Sequence, residues 1–300
     1  AVSYDSRINS ELFAVTAAEV FAANGIKTYI TKELMPTPYL SYITRKTGAD
    51  AGVMITASHN PARYNGYKVY GADGCQLTDD GALEMIGYIN KIDPFDVVTQ
   101  TLDEYLKSGM VEYVGDGVTT DYLKEVFDRR TAYAEGLNVT YSPLNGTGYK
   151  LVPEILKRMK VAKLDIVTEQ SLPDGHFPTC PYPNPEKAEA LKLGLECSAA
   201  NGSDILIATD PDCDRVGIAV RTKEGMKPMT GNEVGVLLSD YLLMRKKENG
   251  TLPVNPVIVK TIVTTELVRK VAAPYGAEIK DVLTGFKYIG DVIGKLEKKG

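Results

Sequence analysis

Apolar and polar positions repeat one arrangement three times along the chain. Val2 to Tyr4 has the apolar, β-favouring run of a short strand. Ser10 is placed to cap a helix running to Ala23, Gly25 stops it, and Ile26 to Ile30 predicts a second strand. Leu137 to Tyr141, Leu151 to Met159 and Leu164 to Val167 repeat the strand, helix, strand order. Val257 to Val259, Glu266 to Ala273 and Ala277 to Val282 repeat it again, with Gly276 as the stop. Each run is the size of one βαβ crossover. Three such runs at wide intervals predict an α/β chain of three similar mixed-sheet domains, over 1–133, 134–225 and 226–300. Glycine-bearing stretches at Tyr113–Thr120 and Thr222–Pro228 are the expected linkers. Five prolines between Pro173 and Pro185 bar regular structure there and predict an ordered loop crossing the surface. Thr230 or Asn232 is expected to cap the helix that follows Met229.

Composition narrows the class. A chain of 300 residues, 44% apolar and 24% charged, has the make-up of a folded globular protein. Its net charge of −5 lacks the basic excess of a nucleic-acid binder. No apolar run is long enough for a membrane span, and Ala1 to Arg7 has no signal-peptide pattern. Cys75, Cys180, Cys197 and Cys213 are scattered and apart from the two histidines, so the expectation is reduced thiols, a cytoplasmic setting and no zinc site. The oligomeric state leaves no mark on the sequence.

Two segments carry candidate chemistry. A buried strand, Val53 to Ile55, delivers Thr56-Ala57-Ser58-His59-Asn60-Pro61, a loop of small and polar residues where α/β folds place reactive groups. Ser58 there can act as a nucleophile or as a carrier of a phosphoryl group. His59 follows it directly, so its ring is not expected to turn back as the serine's base. After an Asn65-Gly66 turn, the alternating strand Tyr67-Lys68-Val69-Tyr70 can return Lys68 toward that loop. Downstream, Asp210-Pro211-Asp212-Cys213-Asp214-Arg215 is bracketed by the apolar runs Ile205–Thr209 and Val216–Val220. Three aspartates at alternate positions of an extended loop can converge on one hard cation, Mg²⁺, Mn²⁺ or Ca²⁺. Without a cation they would repel one another. Arg215 can orient these carboxylates or grip a phosphate. The loop Ser142 to Lys150, between a strand and a helix, is expected simply to turn the chain.

Thr56-Ala57-Ser58-His59-Asn60-Pro61, Asn65-Gly66-Tyr67-Lys68, Asp210-x-Asp212-x-Asp214-Arg215 and Thr284-Gly285-Phe286-Lys287 follow one another at suitable distances. In this they resemble the α-D-phosphohexomutase superfamily of phosphoglucomutases and phosphomannomutases. The Asn-Gly-Tyr-Lys-Val-Tyr run looks closest to its phosphoglucomutase/phosphopentomutase-type branch. The resemblance implies a phosphoserine at Ser58 and Mg²⁺ held by Ser58, Asp210, Asp212 and Asp214. It implies Lys68 as general acid/base, with His59 as the other candidate, and Arg7 as an arginine that approaches the phosphoserine. Arg215, Thr284, Gly285 and Lys287 would bind the sugar phosphate. The implied activity is intramolecular phosphoryl transfer between sugar 1-phosphate and 6-phosphate, glucose first, with a sugar bisphosphate as intermediate and activator.

Family members carry sequence before the Tyr-Asp-Ser-Arg strand, an acidic sugar-recognition loop and a fourth domain. Against that pattern the first and third domains read as cut and the fourth as absent, which leaves the activity of this chain open. Two other readings stand beside the mutase. One is a Mg²⁺-dependent phosphatase working through a phosphoserine, the other a non-catalytic phosphosugar-binding module.

Overall fold

The computed structural model describes residues 1–298. In the first unit the chain runs β1 (Val2–Tyr4), α1 (Ser10–Ala23), β2 (Thr28–Ile30), α2 (Thr37–Lys46), β3 (Ala51–Ile55) and β4 (Tyr67–Gly71). It continues through α3 (Asp79–Ile89), α4 (Leu102–Ser108), β5 (Val111–Tyr113) and α5 (Asp116–Asp128). The sheet order is β4-β3-β1-β2-β5, parallel except for the β3–β4 pair. Alternation along the strands divides its core. Val2, Val53 and Ile55 pack under α1, whose buried Ala14, Ala18 and Ala22 let the helix lie close, while Met54 on the other face meets Tyr39, Leu40 and Ile43 of α2.

The second unit holds β6 (Asn138–Ser142), α6 (Gly148–Arg158), β7 (Lys163–Ile166), α7 (Ala188–Asn201), β8 (Ile205–Thr209), β9 (Val216–Thr222) and β10 (Gly225–Met229). Its order is β10-β9-β8-β6-β7, with β9 and β10 antiparallel to their neighbours. The third unit has α8 (Gly231–Glu248), β11 (Val257–Thr261), α9 (Leu267–Ala272), β12 (Glu278–Val282) and α10 (Phe286–Glu297), with one parallel pair, β11–β12. In each unit the two strands of the predicted βαβ run are parallel neighbours: Val2 opposite Ile30, Tyr141 opposite Ile166, Val257 opposite Glu278. The chain is thus three α/β domains on one theme, the last with the smallest sheet.

Several local expectations are corrected. Ser10 is the first helical residue, not the cap; its hydroxyl donates to Asp5 Oδ1 at 2.8 Å and Asn9 precedes the helix. The two expected linkers are structured. Gly115 precedes α5, which begins at Asp116, and Lys223-Glu224 closes a hairpin whose register pairs Thr222 with Gly225. Glycine marks both places, as a helix entry and a hairpin end, and composition alone does not separate such uses from a linker. Thr230 caps α8 through a reciprocal pairing with Glu233. Asn232 instead accepts the Thr265 amide, tying α8 to the turn before α9.

Candidate active site

The serine loop runs from β3 to β4 and is held from below by Arg7. Its guanidinium donates through Nη1 to the carbonyls of Pro61 at 3.0 Å and Tyr64 at 2.9 Å. Through Nη2 it donates to Ser58 O at 2.6 Å and to Asn60 O. Nε faces Asp5 Oδ2 at 3.3 Å, and both side chains of this pair are fully buried. Asp5 accepts the Thr56 hydroxyl at 2.6 Å, and Thr56 Oγ1 in turn accepts the Ser58 amide at 2.9 Å. A guanidinium with its donors spread over four backbone oxygens fixes a loop that has no regular structure of its own. The expectation for Arg7 was an approach to the serine's phosphate; here its donors are committed to the loop backbone. Gly66 completes the loop, since a Cβ there would sit 2.6 Å from Thr56 O.

Held this way, Ser58 adopts φ 54, a left-handed conformation uncommon outside glycine. That turn aims its hydroxyl across the domain boundary, donating to Asp210 Oδ2 at 3.1 Å. It also brings His59 Nδ1 to 3.3 Å from Ser58 Oγ, so the ring does turn back toward the serine, which its position in the sequence did not lead one to expect. Burial and the Arg215 charge hold the imidazole below its ordinary pKa, which favours the neutral ring.

The acidic loop leaves β8 at Thr209. Asp210 and Asp212 are completely buried, whereas the Asp214 side chain is 17% exposed. Asp210 Oδ1 accepts the amides of Asp214 at 3.1 Å and Arg215 at 3.0 Å, which curls the loop around it. Asp212 Oδ2 accepts Lys68 Nζ at 3.0 Å and the Thr37 hydroxyl at 2.9 Å, and Asp212 O accepts the Thr37 amide at 2.8 Å. Thr37 opens α2, so the positive end of that helix faces Asp212. Lys68 reaches the cluster because the β3–β4 register sets it opposite Met54.

Below the loop lies the Ser142–Lys150 turn, which proves to be its support. Thr147 donates its amide to Pro211 O at 2.8 Å, and a Cβ on Gly146 would come within 2.4 Å of Pro211 Cα.

One carboxylate oxygen of each of the three aspartates lies within 4.8 Å of the others, and Asp212 Oδ1 and Asp214 Oδ1 are buried with no hydrogen-bond partner among the described residues. Buried acceptors left unpaired are costly, and three adjoining carboxylates more so. Burial, then Asp212 and Asp214, push Asp210 well above the usual carboxylate range; burial and Asp212 push Asp214 to about 6. Burial also raises Asp212, but the Lys68 ammonium and the hydrogen bonds from Asp210, Lys68 and Thr37 together outweigh it and hold Asp212 below the ordinary value. Burial pulls Lys68 down, yet Asp212 and Asp214 prevail and keep it charged. These residues form a buried acidic cluster able to coordinate a divalent metal, and their all-oxygen donor set fits a hard cation. Cys213 is no rival ligand, because burial drives its thiol to about 12.

Arg215 has an exposed side chain with no hydrogen bond or ion pair among the described residues. Thr284 and Gly285 precede α10, where Lys287 pairs with Asp79 at the start of α3. No hydrogen bond joins this segment to Ser58 or to the aspartates among the described residues. Arg7, Ser58, His59, Lys68 and Asp210–Arg215 therefore converge, whereas Thr284–Lys287 stands apart. Thr37, missed by the sequence reasoning, belongs with the converging group.

Three patterns described as phosphoglucomutase/phosphomannomutase alpha/beta/alpha domains I, II and III match residues 1–95, 111–225 and 230–297. The chain belongs to the phosphoglucomutase/phosphomannomutase family. The domain II match begins on β5, the strand that pairs with β2 of the first sheet. A Staphylococcus saprophyticus phosphoglucomutase is 36% identical over 99% of this chain and 54% of its own length. A Staphylococcus epidermidis phosphoglucomutase is 38% identical over 98% of this chain and 54% of its own. The chain spans about half the length of these curated relatives. The crystal structure of a phosphoglucomutase/phosphomannomutase family protein from Burkholderia thailandensis shares the fold. Its TM-score is 0.76 at 21% identity, covering 99% of this chain and 60% of that one.

Proposed function

We propose that the protein is a Mg²⁺-dependent intramolecular phosphotransferase that interconverts the 1- and 6-phosphates of a hexose, glucose first, through Ser58. One observation carries the reading. Ser58 Oγ, from the first domain, lies 3.1 Å from Asp210 of a carboxylate cluster in the second, whose unpaired oxygens call for a cation. In this reading Asp210, Asp212 and Asp214 hold Mg²⁺ beside Ser58. Bound there, it supplies positive charge to a transferring phosphoryl group.

The chain's own groups supply the rest. Phosphoryl transfer from Ser58 breaks the Oγ–P bond and forms a bond from phosphorus to a sugar hydroxyl oxygen. The hydroxyl proton leaves as that bond forms and replaces, on Lys68, the proton that the serine oxygen takes up. Lys68, charged and held against Asp212, is suited to donate to Ser58 Oγ as phosphorus departs. When Ser58 is rephosphorylated, neutral His59 is placed to accept its proton. Arg215, exposed and without an ion pair among the described residues, is assigned to the substrate phosphate, and Arg7 holds the loop that presents Ser58. Thr284, Gly285 and Lys287 complete the binding of the sugar phosphate once Lys287 exchanges Asp79 for ligand. Four free cysteines accord with a cytoplasmic setting, and no helix among the described residues is long and apolar enough to cross a membrane.

The test is conversion of glucose 1-phosphate to glucose 6-phosphate by the chain, with Mg²⁺ and catalytic glucose 1,6-bisphosphate. The proposal expects conversion that needs the bisphosphate and disappears in Ser58→Ala. Release of inorganic phosphate without isomerisation would favour the phosphatase reading instead.

A further inference from the structure

We propose that Phe177, in the proline-rich loop of the second domain, positions Ser58 of the first by fixing Arg7. The inference rests on the phosphotransfer role assigned to Ser58. The loop does cross the surface, with His176, Pro178, Pro181 and Tyr182 exposed, but Gly175 and Phe177 turn inward against the first domain. Phe177 is 1% exposed and adopts φ 46, a left-handed conformation that needs outside support. Its ring lies 5.2 Å from the Arg7 guanidinium carbon, within range of a cation–π contact. Two residues earlier, Gly175 rests on the backbone that carries Arg7. A Cβ there would fall 2.6 Å from Ile8 N and 2.7 Å from Ser6 O. At the loop's other end Pro185 presses on β9, where a Cβ on Gly217 would be 2.1 Å from Pro185 O.

The strap therefore spans from the root of the serine loop to the strand that leaves the acidic loop. Arg7 already spends its Nη donors on the carbonyls of Ser58, Asn60, Pro61 and Tyr64. Phe177 adds an apolar wall beside the guanidinium, its ring centroid 5.2 Å from the Arg7 guanidinium carbon. If that wall is lost, the guanidinium can tilt, the four carbonyls lose a common anchor and Ser58 leaves its left-handed turn. The distance from Ser58 Oγ to Asp210 would then vary. Phe177 touches no reacting atom, so its role is positional, exerted through Arg7.

The experiment compares the wild-type chain with Phe177→Leu, Arg7→Lys and the double variant. Leucine keeps apolar volume but removes the ring face; Phe177→Met serves if the leucine variant does not fold. Two readouts are taken with Mg²⁺ present: amide hydrogen exchange at Ser58, and the rate at which Ser58 accepts a phosphoryl group from glucose 1,6-bisphosphate. In that transfer the donor's P–O bond breaks, the Ser58 Oγ–P bond forms and the serine proton passes to the sugar oxygen. The expected result for Phe177→Leu is exchange at Ser58 faster by about tenfold and phosphorylation slower by a similar factor, as loss of a desolvated cation–π contact implies. Mg²⁺ affinity should stay unchanged, and adding Phe177→Leu to Arg7→Lys should slow the reaction no further. A merely structural role would lower global stability but would not give that non-additivity. Unchanged exchange at Ser58, or fully additive losses, would overturn the inference. If wild-type Ser58 accepts no phosphoryl group, the phosphotransfer reading fails, and hydrogen exchange alone decides whether Phe177 orders the loop.

Discussion

Replacing Lys68 with methionine should tighten Mg²⁺ binding while weakening catalysis. Lys68 Nζ lies 3.0 Å from Asp212 Oδ2, with its side chain about one-fifth exposed and that of Asp212 fully buried. At an effective dielectric of about 20, charges at that distance attract by roughly 5–6 kcal/mol. Solvent at the lysine end and the desolvation of both groups reduce this to a net of about 2–3 kcal/mol. Without a cation the ammonium faces three carboxylates. With Mg²⁺ among them it faces about one net negative charge, so roughly two-thirds of its attraction disappears on binding, about 1.5–2 kcal/mol. Lysine therefore opposes the cation, and Lys68→Met should bind Mg²⁺ about ten- to thirtyfold more tightly. Calorimetric titration of both proteins with MgCl₂ at pH 8 measures this, and the mutase assay on the same samples should show turnover falling. Equal or weaker Mg²⁺ affinity in Lys68→Met would refute the idea that lysine and cation share one cluster of charge.

Acid should compete with the metal, because Asp214 titrates at about 6 and Asp210 lies well above the ordinary carboxylate range. Mg²⁺ affinity measured by calorimetry is expected to fall as pH drops through about 6. The sign for the metal-free fold is opposite. A carboxyl whose folded pKa exceeds its unfolded value favours folding at low pH, and that contribution is lost as pH rises through the folded value. From Asp214 alone, the metal-free protein should lose up to about 3 kcal/mol between pH 4 and 6, followed by urea unfolding, and excess Mg²⁺ should flatten the dependence. Thr37→Val removes a hydroxyl donor from a buried carboxylate and should cost about 1–3 kcal/mol in a urea midpoint, with weaker coupling between the first two domains. Gly66→Ala forces a Cβ to within 2.6 Å of Thr56 O. It should reduce Ser58 phosphorylation more than it lowers the unfolding midpoint, because the clash falls on the serine loop itself.

What the sequence made legible divides along a physical line. The βαβ runs and both reactive loops are local patterns, and strand, helix and turn preferences act over a few residues. Ser58, Lys68 and the aspartates could therefore be read from spacing and residue chemistry. Their convergence is partly a matter of register, as with Lys68 opposite Met54. Thr37, Phe177 and the donor pattern of Arg7 were not legible, since each depends on two domains meeting. Nothing near Thr37 signals a carboxylate 175 positions away. The prolines around Phe177 said that the loop was irregular, not that Phe177 within it was buried against the first domain. The approach of His59 to Ser58 was not legible, because it depends on the left-handed turn at Ser58, in the loop that Arg7 anchors, which brings neighbouring side chains to one side. Tyr113–Thr120 and Thr222–Pro228 show the same limit: glycine marks a change of direction, but not whether a helix, a strand or a linker lies beyond it.

The most direct test of the account is the mass of the intact chain after incubation with Mg²⁺ and glucose 1,6-bisphosphate, with peptide mapping of the product. The account predicts one added phosphoryl group, on Ser58, that depends on Mg²⁺ and passes to glucose 1-phosphate when the latter is added. No added group, or one on another residue, would contradict it.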